Sequence, residues 1–331
     1  MTDAPDIRTW TFASGRAAAL EARMAPQGQV QKLVQAAGPE EIAQALRGML
    51  IGERGADVQQ LQEADTLSRR FYRDMVEDLR RLSPAPHVAD LLLVQQELRS
   101  LKSHIKRAQL GMDVPTVESR YGEETWSRLW TGLQTDLPPI FDAVIRRARA
   151  LTGGRMDRPA LFDAAFDSAS LSALREAADA LGNEFVAEYF ARYDTVRGVE
   201  LLWRARVLGL PEEIEQVLAE GRRNMDLFAE LRRRDVEDWP ELLASAMHGL
   251  DVEAVASQEG MARVREFVGA AGRWLMSFLQ EGKMVPFGPE RVFACMAGLL
   301  AEGQNVALAA TGRALDIAPG VLAPHVKATY V

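Results

Sequence analysis

Apolar positions along the chain recur at the three-to-four-residue spacing of a helix face. In DLPPIFDAVIRRARALTGG (136–154), Ile140, Val144, Ala148 and Leu151 follow one another at steps of four, four and three. Asp136 is in position to cap this helix, the two prolines suit its first turn, and Gly153-Gly154 supplies a left-handed stop. SLSALREAADALG (170–182) repeats the logic, with Leu171, Leu174, Ala178 and Leu181 aligned before Gly182. Sustained alternation of β-branched and aromatic residues, the mark of strands, is hard to find. The pattern predicts an all-α fold.

One stretch is written more than once. Aligned on their last residues, ELRSLKSHIKRAQLG (97–111) and TVRGVELLWRARVLG (195–209) share an apolar ladder: Leu101 with Val199, Ile105 with Trp203, Leu110 with Leu208. EGQNVALAATGRALD (302–316) is a weaker third copy that keeps Val306 and a basic Arg313 opposite Arg206. The copies lie 98 and 107 residues apart. Upstream of each comes a short helix, a polar break and a second helix starting with acid or proline: 30–46, 127–144 and 227–245. PEEIAQAL (39–46) and PEEIEQVL (211–218) look alike but occupy different places in the repeat, and Pro followed by Glu is common helix-start chemistry. The period predicts three similar helical domains, 1–111, 112–210 and 211–331.

Composition narrows the function without naming it. With 47% hydrophobic and 26% charged residues this is an ordinary globular composition. The net charge of −8 argues against nucleic acid as the main partner. Local basic runs at 146–155 and 232–234 read first as solvated helix ends and second as docking patches for an acidic partner. The one cysteine, Cys295, sits among apolar neighbours, as an inert buried thiol does. MTDAPDIRTW has no signal-peptide pattern, and Glu302, Gln304 and Asn305 interrupt the most apolar run, 292–310. That run is expected to be a buried helix pair, and the protein to be cytoplasmic without a membrane span.

Catalytic patterns are missing from the sequence. It has neither GxxxxGK[ST] nor GxGxxG, and His87, His104, His248 and His325 lack helical metal-ligand spacing. His104 reads as a helix-packing or surface histidine. Glu40-Glu41 and Glu212-Glu213 fall at helix starts, where the dipole accounts for them. Glu123-Glu124 precedes Trp126 and Trp130, whose spacing suggests a core stripe. No catalytic residue, cofactor or metal is expected.

The triplicated helix has an acid, a small or amide residue three later, a basic-Ala-basic run and Leu-Gly. It resembles the C-type subunit of bacterial and archaeal V/A-type ATPases, whose eukaryotic counterpart is the d-type subunit. FGPERVFACMAGLLAEGQNVAL (287–308) is similar to the family's late signature, with Glu290, Glu302, Asn305 and Val306 on its positions. FASGRAAALEARM (12–24) resembles the family's aromatic-Ala-x-x-Arg opening through Arg16, and Tyr330-Val331 resembles a common family ending. Glu97 in the first repeat and Arg204 and Arg206 in the second fall on further motif positions. The departures are Glu97 and Ser100 for the usual Asp and Asn, and Thr195 and Gly198 in the second repeat, where Asp194 lies beside the first. Arg291 replaces a proline, and Cys295 an aromatic. Residues three apart share a helix face, so the acid/amide pair reads as an interhelix hydrogen-bond device, and its loss in the second repeat implies that it is structural and replaceable rather than catalytic.

The resemblance implies three domains in a funnel around a pseudo-threefold axis. It implies a non-catalytic element of the central rotor, one that couples the central stalk to the membrane rotor ring, so that ATP hydrolysis or synthesis is linked to H+ or Na+ movement. The implied partners are stalk subunits and the ring, with peripheral attachment to the membrane through the complex. The residues alone also admit an unrelated α-helical scaffold or adaptor, or an all-α enzyme. A scaffold of the solenoid kind has repeats shorter than about 50 residues, and an enzyme needs a convergent pocket.

Overall fold

The computed structural model describes residues 7–52, 64–114, 117, 119–133, 135–155 and 157–331, and the start of the N-terminal stretch read for a signal peptide lies outside these. Among the described residues the chain is 76% helical with no strands, an all-α fold. It divides into two compact units, residues 1–90 with 268–331, and residues 91–267.

In the first unit, helix α1 is Thr11–Glu21, α2 is Gln27–Gln35, α3 is Pro39–Arg47 and α4 is Ala64–Leu82. Helix α5, His87–Leu110, begins in this unit and continues in the second. The second unit adds α6 (Gly122–Trp130), α7 (Pro139–Leu151), α8 (Pro159–Ala180), α9 (Glu184–Val207), α10 (Glu212–Ala219), α11 (Met225–Arg233), α12 (Trp239–Ala246) and α13 (Val252–Ala256). Helix α14, Gly260–Lys283, returns to the first unit, which ends with α15 (Pro289–Ala314) and the short α16 (Pro319–Leu322).

Helix α15 is the centre of the first unit, packed against α4, α1, α2 and α16. It is one continuous helix of 26 residues, a correction to the expected pair. Its polar residues do not break it because Glu302 and Asn305 find partners inside the fold and Gly303 leaves room for the Tyr72 ring. It is also the one helix, among the described residues, long and apolar enough to cross a membrane, yet 83% of its most apolar window is buried within the fold. Gly288 lies at its N-cap, Pro289 and Glu290 fill its first turn, and Arg313 lies in its last turn. That arrangement matches the dipole and the proline preference.

In the second unit α8 packs against α7, α9 and α10. Trp203 on α9 meets Trp239 at 5.2 Å and Phe267 at 5.5 Å between ring centroids. Helix α9 opens on Asn183, whose side chain accepts from the Val186 N–H at 2.9 Å. Helix α7 lacks the expected Asp136 cap: its N-cap residue is Pro138, without a side-chain bond. Its buried face is Phe141, Val144, Ile145 and Ala148, rotated slightly from the predicted stripe.

Three pairs of short helices follow the predicted helix–break–helix shape: α2 with α3, α6 with α7, and α11 with α12. The three repeat helices α5, α9 and α15 also end alike. Gly111, Gly209 and Asp316 adopt φ of 61°, 63° and 54°. Backbone bonds run from Leu210 N–H to Ala205 and from Ile317 N–H to Gly312, the six-to-one closure of a left-handed helix stop, while at the end of α5 the Met112 N–H reaches one residue further back, to Lys106. The first two rungs of the ladder are core residues, Leu101, Val199, Ile105 and Trp203 among them. Leu208 and Leu315 are instead exposed, because as C-cap residues they have turned past the last buried turn.

Candidate functional site

Each repeat helix buries an acid that grips a segment from elsewhere in the chain. On α5, Glu97 accepts from the Ser119 hydroxyl at 2.6 Å and the Arg120 N–H at 3.3 Å. One turn on, the Ser100 hydroxyl donates to the Val117 carbonyl at 2.9 Å. On α15, Glu302 accepts from the Tyr72 hydroxyl at 2.6 Å and the Ala25 N–H at 3.0 Å. Asn305 pairs with Lys327 backbone in both directions, donating to its carbonyl at 3.0 Å and accepting from its N–H at 2.8 Å.

The second repeat uses a different acid. Asp194, one residue before the aligned Thr195, forms an ion pair with Arg222 at 2.7 Å and accepts from the Arg223 N–H at 3.4 Å. Both side chains of the pair are essentially without solvent, at 1% and 0% exposure. Gly198 stands where a side chain would collide, since a Cβ there would lie 2.6 Å from Phe228 and 3.2 Å from the Arg222 guanidinium. The acid of repeat two is therefore displaced by one position, and a cation supplies its donor. The sequence reading of an interhelix device needs the same correction: only the Glu302–Tyr72 bond joins two helix side chains, and most of the others hold backbone. Each acid restrains a chain crossing where an unpaired N–H would be costly.

Burial sets the electrostatics. It pushes the Glu302 carboxyl above its ordinary value, opposed by the bonds from Tyr72 and Ala25. Burial and the Glu302 charge raise Tyr72 well above the usual phenol range. Cys295 is fully buried, its sulfur 3.6 Å from the Ala17 carbonyl, and burial drives its thiol far up. His104 is buried against α6, its Nε2 3.0 Å from the Ser127 hydroxyl, and burial lowers its value. These groups hold structure, and burial is the largest cause of each shift.

The remaining predicted positions are dispersed. Arg16 is exposed on α1. Arg204 pairs with Glu200 at 2.9 Å on its own helix. Arg206 donates to Glu215 at 2.8 Å and to the Arg232 carbonyl at 3.1 Å, so it ties α9 to α10 and α11. Glu290 is half-buried in the first turn of α15. The basic runs carry their own counter-charges: Arg146 with Asp142 at 3.1 Å, Arg147 with Glu176 at 2.9 Å, Arg233 with Glu230 at 2.9 Å and Arg232 with Glu212 at 3.4 Å. Arg149 lies 4.7 Å from the Trp130 ring centroid. Glu213 holds Arg155 and Arg158, and Glu123 holds Arg107. Of the tryptophan pair, Trp126 enters the core and Trp130 is half-buried.

Sequence reading missed Arg222, Tyr72 and the contact of Glu21 with Arg291 and Tyr330. No local pattern marks them, because each partner arrives from a distant part of the chain. Among the described residues no group of three His, Cys, Asp or Glu side chains could hold a metal.

No curated protein matches the chain. The family model described as ATP synthase (C/AC39) subunit matches residues 13–322, a span that includes all three repeat helices and their gripping acids. The chain belongs to the ATP synthase (C/AC39) subunit family, and is a subunit of a V/A-type ATPase whose partners are the other subunits of that complex.

Proposed function

We propose that the protein is the non-catalytic central-rotor subunit of its V/A-type ATPase, a socket that couples the central stalk to the membrane rotor ring. ATP hydrolysis or synthesis in the complex is thereby linked to movement of H+ or Na+. The observation that carries this reading is the family match over residues 13–322. The three like-ended helices α5, α9 and α15 support a division into domains 1–111, 112–210 and 211–331, and membership of the family supports their arrangement as a funnel around a pseudo-threefold axis. The protein works at the cytoplasmic face, attached to the membrane through the complex.

A coupling of this kind is required to transmit torque without yielding. Moving one charge through 100 mV is worth about 2.3 kcal/mol. Local opening that costs less than this would dissipate the stroke. The buried grips on the crossing segments stiffen the protein at the places where an all-helical chain is weakest.

The test is an affinity pull-down of the tagged full-length chain from detergent-solubilised native membranes. The expected result is recovery of a small, very hydrophobic ring subunit and a stalk subunit together with ATPase activity. Recovery of the ATPase head without the ring would overturn the socket.

A further inference from the structure

Helix α15 carries a stripe in which every seventh residue does one job. Gly312 leaves room for Leu322, since a Cβ there would collide with the leucine side chain. Asn305 clamps the Lys327 backbone by two hydrogen bonds. Gly298 receives the Tyr330 ring, which a Cβ would meet at 2.6 Å. Arg291 pairs with Glu21 of α1 at 2.5 Å, and Glu21 also accepts from the Tyr330 hydroxyl at 3.1 Å. As helix numbers fall from 312 to 291, the covering segment rises from 322 to 330, so the two run antiparallel. Seven helical residues advance about 10.5 Å, and three extended residues about 10 Å. The step from Asn305 to Gly298 therefore matches the step from Lys327 to Tyr330 in an extended chain.

Tyr330 is the most heavily held point of this segment. It is 1% exposed. Gln280 of α14 donates to its carbonyl at 3.2 Å, and Lys283 lies 5.8 Å from its ring centroid. Through Glu21 the same side chain reaches α1, at the opposite end of the sequence of this unit.

We propose that the stripe Arg291, Gly298, Asn305 and Gly312 is a binding groove for a peptide that enters on a helical turn and then runs extended. Residues 322–331 fill it in cis, helical as far as His325 and extended from Val326, and Tyr330 is the pin that keeps it closed. The ligand class is a strand-like segment offering one backbone amide to Asn305 and, three residues later, an aromatic hydroxyl to Glu21. Withdrawal of the pin opens the groove and loosens α1, which loses one of the two partners of its Glu21. This device is independent of the socket role, since it concerns only how the first unit is closed.

Hydrogen exchange on the full-length chain tests it, with amides 11–21 and 327–331 compared against 159–207. Tyr330→Ala is expected to speed exchange of the first two sets by more than about a hundredfold, the scale of losing a buried aromatic, and to leave 159–207 unchanged. A millimolar peptide with the sequence of residues 322–331 should restore slow exchange at 11–21, and the same peptide with Ala for Tyr should not. Tyr330→Phe keeps the ring and guards against a variant that fails to fold. It should speed exchange at 11–21 by about tenfold through the lost bond to Glu21. Wild-type exchange in both variants, or equal action of the two peptides, overturns the proposal.

Discussion

The hydroxyl of Tyr72 donates to the carboxylate of Glu302 at 2.6 Å, across 230 residues of sequence. With the Ala25 N–H on the other carboxylate oxygen, this one side chain holds α4 and the turn after α1 onto α15. Glu302→Ala would leave a buried hydroxyl and a buried N–H unpaired. The expected loss is about 2–4 kcal/mol in urea denaturation. A loss below about 1 kcal/mol would mean that both donors find other partners.

The same carboxyl predicts a pH dependence. Its folded value lies above the ordinary 4.5 because of burial. The folded state therefore holds the proton more tightly than the unfolded state. Stability should decline as pH rises from about 4.5 through the folded value, and the decline is complete above it. Glu302→Gln, which cannot ionise, should lack this decline. Denaturation midpoints of the two proteins across that window measure the difference, and parallel curves would remove Glu302 as its source.

Asp194 and Arg222 form a pair closed off from solvent, with burial pulling the guanidinium below its ordinary value. Removing one partner strands a charge, so Arg222→Met alone should cost about 3–5 kcal/mol. The double variant Asp194→Leu with Arg222→Met removes both charges and should recover most of that loss. A double-mutant cycle by chemical denaturation reads the coupling directly. Additive single effects would show that the pair contributes nothing as a pair.

The helical content was legible because its signals are local: prolines in first turns, acids near N-termini, glycines at φ near 60°. The repeat was legible for the same reason, since Gly111 and Gly209 mark equivalent stops. What escaped was long-range or out of register. Asp194 sits one residue off the aligned acid, and its meaning comes from Arg222, which lies 28 residues away. Tyr330 and Glu21 are 309 residues apart, beyond any periodicity. Glu302 and Asn305 looked like interruptions of an apolar run because their partners, Tyr72 and Lys327, become visible only in three dimensions. A polar residue in a buried helix is a break only when nothing satisfies it.

Asp316 is the one non-glycine among the described residues with positive φ, at 54°. It occupies the stop that Gly111 and Gly209 fill in the other repeats, and it is exposed. A side chain in the left-handed region costs about 1 kcal/mol relative to glycine. Asp316→Gly should therefore stabilise the first unit by roughly 0.5–1 kcal/mol, read as a higher denaturation midpoint. Asp316→Val, branched at Cβ, should lower it. A neutral glycine variant would mean that the aspartate side chain offsets its own backbone cost.

Cys295 offers a direct probe of how often the first unit opens. Its thiol is fully buried on α15 beside α1, and burial holds it far from ionisation. Reaction with a thiol reagent requires a thiolate in contact with water, and the folded state supplies neither. Labelling of the native protein should therefore be limited by opening of the unit. It should accelerate in Glu302→Ala in proportion to the stability lost there. For a loss of about 2 kcal/mol the expected acceleration is roughly thirtyfold, measured as the labelling rate at fixed reagent concentration. A rate that ignores the Glu302 substitution would mean that α1 lifts away from α15 by a local motion in which α4 takes no part.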